Sequence, residues 1–201
     1  MKSITLHVTD LDSMLWYRKL EDMDSDAMVS RLKRTSSPND KMLYGTAWHS
    51  IIERPPDEIE TIERNGITFR VECDAEIILP QIREIRATKA YDVDGVRVIL
   101  TGGCDGATGN KISDHKLTFN PEPETYLTSY QWRAYLDIYN ADSFEYIIYH
   151  AKEGKGDKEV IIKDVSTITM FRYPGMVDDL ISGIHDLLGF IKAKCPEMIN
   201  Q

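Results

Sequence analysis

The sequence has little that would cross-link or interrupt it. Its 201 residues include three cysteines, Cys73, Cys104 and Cys195, far apart and with no CxxC spacing. That excludes a disulfide framework and a thiolate zinc site, and makes a reducing cytoplasm the expected compartment. The 12 glycines and 8 prolines are scattered along the chain, never more than two together. There is no repeat, low-complexity tract or long linker, so one continuous core is expected. Apolar runs stop well short of the roughly 18 residues that a membrane crossing needs. The opening MKSITLHVTDLD meets acids before a signal-peptide core can form, so no membrane association is expected. Positive charge is scarce as well: 24 Lys and Arg stand against 33 Asp and Glu, a net charge of −9. A protein that coats nucleic acid by bulk charge is thereby disfavoured, although a local basic groove remains compatible.

What is present is ordinary globular material, 42% hydrophobic and 28% charged. The length fits a single domain over 1–201, which buries roughly 70% of its unfolded surface. Within it, residues 1–55 read as a helical N-terminal part and 58–201 as a core of sheet and helices. Helical spacing marks 9–19, capped by Thr9, then 26–34 and 41–53, the last halted by Pro55 and Pro56. The period then changes to that of a hairpin over 59–73 around Asn65-Gly66, followed by strands at 84–91, 96–103 and 111–118 in an antiparallel meander. One helix is expected to run from 121 to 139, a second hairpin over 144–171, and a final amphipathic helix from Pro174 to Lys194. The class is α+β: a central mixed, mostly antiparallel sheet flanked by helices.

The chemistry concentrates between Val96 and Lys116. Two strands joined by a turn bring Asp105 near Asp114, and alternation along the second strand puts Asp114 and Lys116 on one face and His115 on the other. Close carboxylates repel unless a cation lies between them, and a hard divalent ion is the usual solution. Such an ion polarises a phosphoryl oxygen and activates water, while a nearby lysine offsets charge on a transferring phosphate. The competing interpretation of Asp114 and Lys116 is a solvated ion pair at a strand edge. An acid two residues before a lysine recurs at Glu153-Gly-Lys155, but in a Gly-rich turn with no sheet face to hold the pair together.

Two helices add to this. His49, beside Trp48, is either a core histidine or a ligand, and Gly45 one turn earlier leaves room for another element to approach it. Gln131 interrupts the apolar stripe Leu127, Ala134, Ile138, where an amide is unfavourable unless it meets a partner, and Tyr135 follows one turn later. Arg31, Lys33, Arg34 and Lys41 surround a polar loop that could contact phosphates or simply be solvated. His7, His150 and His185 have no ligand-spaced neighbours and read as structural.

Taken in order, Gly45-Thr-Ala-Trp-His49, Gly103-Cys-Asp105, Asp114-His-Lys116 and Gln131-Trp-Arg-Ala-Tyr135 resemble the motifs of the RecB-like PD-(D/E)XK nucleases across nearly the whole chain. The resemblance implies a restriction-endonuclease-like core and a Mg²⁺- or Mn²⁺-dependent deoxyribonuclease. Among such proteins the phage type suggests an exonuclease on linear DNA in recombination, repair or phage replication. It implies His49, Asp105 and Asp114 as metal ligands, with the backbone carbonyl of His115 as a further one, and Lys116 as the catalytic lysine. Gln131 and Tyr135 would position nucleic acid, and Glu84 stands where many members carry a glutamate. Only Cys195 lies in the C-terminal part, so the iron–sulfur cluster of some members is not expected. No GxxxxGK[ST] loop occurs, so helicase activity would come from another chain. DNA is the expected partner, with a single-strand annealing protein or a helicase as candidate protein partners. The alternative is a non-catalytic DNA-binding or regulatory module that keeps the nuclease fold.

Overall fold

The computed structural model describes residues 2–19, 24–55, 60–73 and 80–200. Among these residues eight strands form one mixed sheet, in the order β1-β5-β6-β7-β8-β3-β2, with β4 paired to the other edge of β5. The strands are β1 (Lys2–His7), β2 (Thr61–Arg64), β3 (Ile67–Val71), β4 (Ile82–Val93), β5 (Val96–Thr108), β6 (Lys111–Thr118), β7 (Ser143–Glu153) and β8 (Glu159–Phe171). The helices are α1 (Val8–Arg18), α2 (Ser25–Leu32), α3 (Asp40–Glu53), α4 (Pro123–Thr128), α5 (Tyr130–Tyr139) and α6 (Met176–Lys194). Antiparallel pairing joins β2 to β3, β4 to β5, β5 to β6 and β7 to β8; parallel pairing joins β1 to β5, β3 to β8 and β6 to β7. The α+β class and the mixed sheet are as expected. Ile59, taken as the start of the first hairpin, Pro56, and the boundary at residue 58 lie outside the described residues.

Alternation along β7 shows how the two faces are used. Phe144, Tyr146 and Ile148 join the larger core with α1, α5 and α6, whereas Tyr149 and Ala151 join a smaller core under α3. On the first face Leu180, Ile184, Leu187, Leu188 and Ile191 of α6 pack with Val98 and Leu100. On the second, Trp48 of α3 lies between Phe69 and Tyr149, with ring centroids 5.3 and 5.0 Å away. Among the described residues no helix is long and apolar enough to cross a membrane.

Three expectations need correction. The N-terminal part is not purely helical: β1 pairs in parallel with Val96–Thr101 and is built into the sheet, with Ile4 and Leu6 turned into the core. Strand β5 does not end near Gly103 as expected but continues to Thr108, and the turn before β6 is confined to Gly109 and Asn110, with Gly109 at φ +59°. The helix expected over 121–139 is broken at Ser129, whose extended ψ of 140° separates α4 from α5. Ser129 caps α5 by accepting from the Gln131 N–H, and Asp12 of α1 accepts from the Tyr130 N–H at 2.6 Å. A tertiary acceptor therefore ends one helix and starts the next.

The Trp48 ring is 1% exposed and fixes the segment of α3 that carries His49. Trp48→Ala is expected to lower the unfolding free energy by about 3–5 kcal/mol in urea titrations. A loss well below 1 kcal/mol would mean that this ring does not anchor α3.

Candidate functional site

The site begins where a ladder ends. On one edge of β5, residues 96–101 pair with β1 and residues 106–108 pair with β6, so among the described residues 102–105 have no strand partner on that edge. β6 diverges after Ser113, and its residues 114–118 keep β7 as their strand neighbour. Asp105 fills the gap: its Oδ2 accepts the His115 backbone N–H at 2.6 Å, taking the place of the missing strand. That nitrogen belongs to the peptide joining Asp114 to His115, about 2.4 Å from the Asp114 Cα. The two acids named from sequence are therefore drawn together.

Asp105 also pairs with His49, whose Nδ1 is 3.4 Å from its Oδ2. Burial pushes the Asp105 carboxyl up, but the His49 hydrogen bond and charge, the His115 amide and Lys116 together hold it below its usual value. Burial lowers His49, yet Asp105 and Asp114 raise it further, so the imidazole is held above its ordinary pKa. Glu84 lies on β4 at φ +52°, flanked by the pairs Arg83↔Gly106 and Ile85↔Cys104 that bracket Asp105. Its carboxyl is raised by burial and by the charges of Asp105 and Glu53. With His49, Asp105 and His115 it lines a recess of about 10 Å³, room for roughly one water-sized sphere.

On the other side of β6, Asp114 is 3% exposed and its Oδ2 lies 2.5 Å from Lys116 Nζ. Oδ1 accepts from Gln131 Nε2 at 3.0 Å, while Oδ2 is buried and has no partner in hydrogen-bond geometry. Burial raises the Asp114 carboxyl, with Lys116 opposing and Asp105 adding to the rise. Burial lowers Lys116, but the charges of Asp114, Asp105 and Asp12 outweigh it and keep the amine protonated. The solvated strand-edge ion pair considered from sequence does not fit a carboxylate this deeply buried.

Gln131 and Tyr135 are close by, and both are engaged within the protein. Gln131 orients Asp114, and the Tyr135 hydroxyl donates to the Gly103 carbonyl at 2.8 Å. The side chain of His115 turns the opposite way from Asp114, as alternation requires. It is 1% exposed, stacks on Tyr149, and its pKa is pushed down to about 4, chiefly by burial. The basic loop is largely tied down: Arg34 forms a two-pronged pair with Asp10, Lys33 meets Glu197, and Lys41 lies over Phe119.

Asp12 was not singled out from sequence. Its carboxylate accepts from Ser129 Oγ and Tyr130 N, both at 2.6 Å, and its charge acts on Lys116. Burial, opposed by those hydrogen bonds, raises its pKa. No local pattern marks it, because its partners are more than a hundred residues away. Beside it opens a cleft of about 670 Å³ bounded by α1, α4 and the start of α5, with Lys116, Gln131 and Tyr146 also in its lining.

No protein-family model and no curated protein matches the chain. Among solved structures, a phage-related exonuclease from Haemophilus somnus 129PT superposes with a TM-score of 0.54 at 11% identity, covering 97% of this chain and 96% of that one. The protein SSO0001 superposes with a TM-score of 0.53 at 11% identity, covering 96% and 86%. These likenesses establish a shared fold.

Asp12→Ala removes the acceptor for two donors at the start of α5 and is expected to cost about 1–3 kcal/mol. Amide exchange at Tyr130 and Gln131 should accelerate with it. Unchanged exchange at both would show that Asp12 does not hold this helix start.

Proposed function

We propose that the protein is a Mg²⁺- or Mn²⁺-dependent deoxyribonuclease, an exonuclease hydrolysing the phosphodiester bonds of linear DNA in recombination, repair or phage replication. The observation that carries this reading is the buried Asp114 carboxylate paired with the half-buried Lys116, one peptide unit from the Asp105 carboxylate and beside an open cleft. The fold shared with a phage-related exonuclease supports it, as does the ordered set of motifs.

The residues fit a hard divalent cation. Asp105 and Asp114 offer carboxylate oxygens, and Asp114 Oδ2 is buried against the Lys116 ammonium, which a bound cation would share it with. His49 offers an imidazole nitrogen. The His115 carbonyl leaves β6 on the same edge as its N–H, which faces Asp105. Among the described residues no three His, Cys, Asp or Glu side chains form a ready-made ligand group. The backbone carbonyl, water and the phosphate of the substrate would complete the shell, as is usual for Mg²⁺.

When bound, such an ion polarises the scissile phosphoryl oxygen and makes water a better nucleophile at neutral pH. Lys116, kept protonated by its carboxylate neighbours, orients the attacking water and offsets charge on the transferring phosphate. Gln131 holds Asp114 in one orientation, so little reorganisation is needed as charge develops.

The lack of a pre-assembled side-chain trio favours, as a second reading, a module that binds DNA without cutting it. Asp114→Asn and Lys116→Ala separate the two. Each should reduce metal-dependent digestion of end-labelled linear DNA by about a hundred- to a thousandfold or more while leaving the circular dichroism spectrum unchanged. Covalently closed circles should survive the wild-type protein. Wild-type rates in either variant, or no Mn²⁺ uptake by calorimetry, would remove the nuclease assignment.

A further inference from the structure

We propose that the cleft beside Lys116 is a binding site for one unpaired nucleic-acid strand, and that Trp16 is the platform on which its bases stack. This rests on the nuclease reading and deepens it: substrate would reach Lys116 as a single strand.

The volume of about 670 Å³ is that of a small-molecule pocket and accepts a nucleotide or two. A duplex, whose major groove alone is about 12 Å wide, does not enter it. Charge agrees with size. The cleft lining includes the cations Lys19, Arg31 and Lys116, the last paired with Asp114, and the acids Asp12 and Glu122, so its charge is modest. Duplex binding depends on neutralising many phosphates. The cations that could have widened this footprint, Lys33, Arg34 and Lys41, are engaged elsewhere. What the walls offer instead is aromatic surface, Trp16, Tyr17 and Tyr126, interleaved with hydroxyl groups, the composition of a stacking groove for single strands.

Trp16 is the decisive residue. It is 56% exposed, whereas Trp48 and Trp132 are 1% and 5% exposed. Its ring is held edge-on against Tyr17 at 4.9 Å, and Tyr17 packs on the larger core, so the indole is presented in a fixed attitude. Arg31 is fastened to the same wall by its hydrogen bond to Ser13 and is placed to meet a phosphate.

The test uses the full chain in chelator, so that nothing is cut, with an oligo-dT of about twelve nucleotides as probe. Because Trp16 is the exposed indole, its stacking should quench the intrinsic fluorescence, and a blunt duplex of equal length should bind more weakly and quench less. Trp16→Leu should abolish the quench and weaken oligo-dT binding by about five- to a hundredfold. Trp16→Phe, which keeps a ring, should recover part of the affinity. Unchanged emission on binding, equal affinity of Trp16→Leu, or equal quenching by duplex would overturn the proposal. Digestion with Mg²⁺ is scored separately. Cleavage without a quench removes this strand site and leaves the nuclease, whereas a quench without cleavage keeps the strand site and removes the nuclease.

Discussion

The whole arrangement depends on β5 failing to keep one neighbour along its length. On the edge away from β4 its first half belongs to β1 and its last residues to β6, and the backbone groups that face this edge in between are left to other partners. Hydroxyls of α5 lie against this stretch: Tyr135 donates to the Gly103 carbonyl, and Tyr139 is shared between the carbonyls of Gly102 and of Ile85 on β4. The Tyr135 ring lies so close over Gly102 that a Cβ there would come within 2.3 Å of it, so the position excludes any larger residue. From the opposite strand, the His115 N–H is satisfied by the Asp105 carboxylate. The gap in the sheet and the charged site are thus one feature.

A buried cluster of charge is costly unless each member has a partner. Here Lys116 stands among Asp114, Asp105 and Asp12, and Asp105 stands between His49 and the His115 amide. Burial and mutual repulsion raise Asp114 while Asp105 is lowered, so the two carboxylates are driven apart in acidity by their surroundings alone. Asp12 ties the start of α5 to α1, and α5 in turn delivers Gln131 to Asp114. The hydrogen bonds that hold the helices together and those that orient the site are continuous.

Much of this was legible in the sequence because the relevant information is local. The period-2 pattern of 111–118 correctly assigns Asp114 and Lys116 to one face and His115 to the other. The polar interruption at Gln131 correctly anticipates a buried partner, which is Asp114. The break at Ser129 was not legible, since it is enforced by Asp12 through contacts made only after folding. Strand β1 was legible in principle, with Ile4 and Leu6 alternating against polar neighbours, but its role depends on parallel pairing with a strand some ninety residues away. The basic loop illustrates the opposite failure. Charge was correctly located at Arg34 and Lys33, but the buried Asp10 and the distant Glu197 that claim those cations are invisible to a local reading.

The backbone of β6 also divides two environments that need different properties. Toward α3 lies the small recess with His49, Glu84 and Asp105, where little water fits and charge interactions are strong. Toward α1 and α4 lies the far larger cleft with Lys116 and Gln131, about 670 Å³ against about 10 Å³. Only strand geometry lets consecutive residues serve both: Asp114 and Lys116 address the cleft side, while the His115 peptide reaches Asp105 through the edge of the sheet. A helix would spread residues 114, 115 and 116 around its circumference at about 100° per residue and present no such opposed pair of surfaces. The strand after the gap is therefore what allows a small charged recess and a large open cleft to share a single wall.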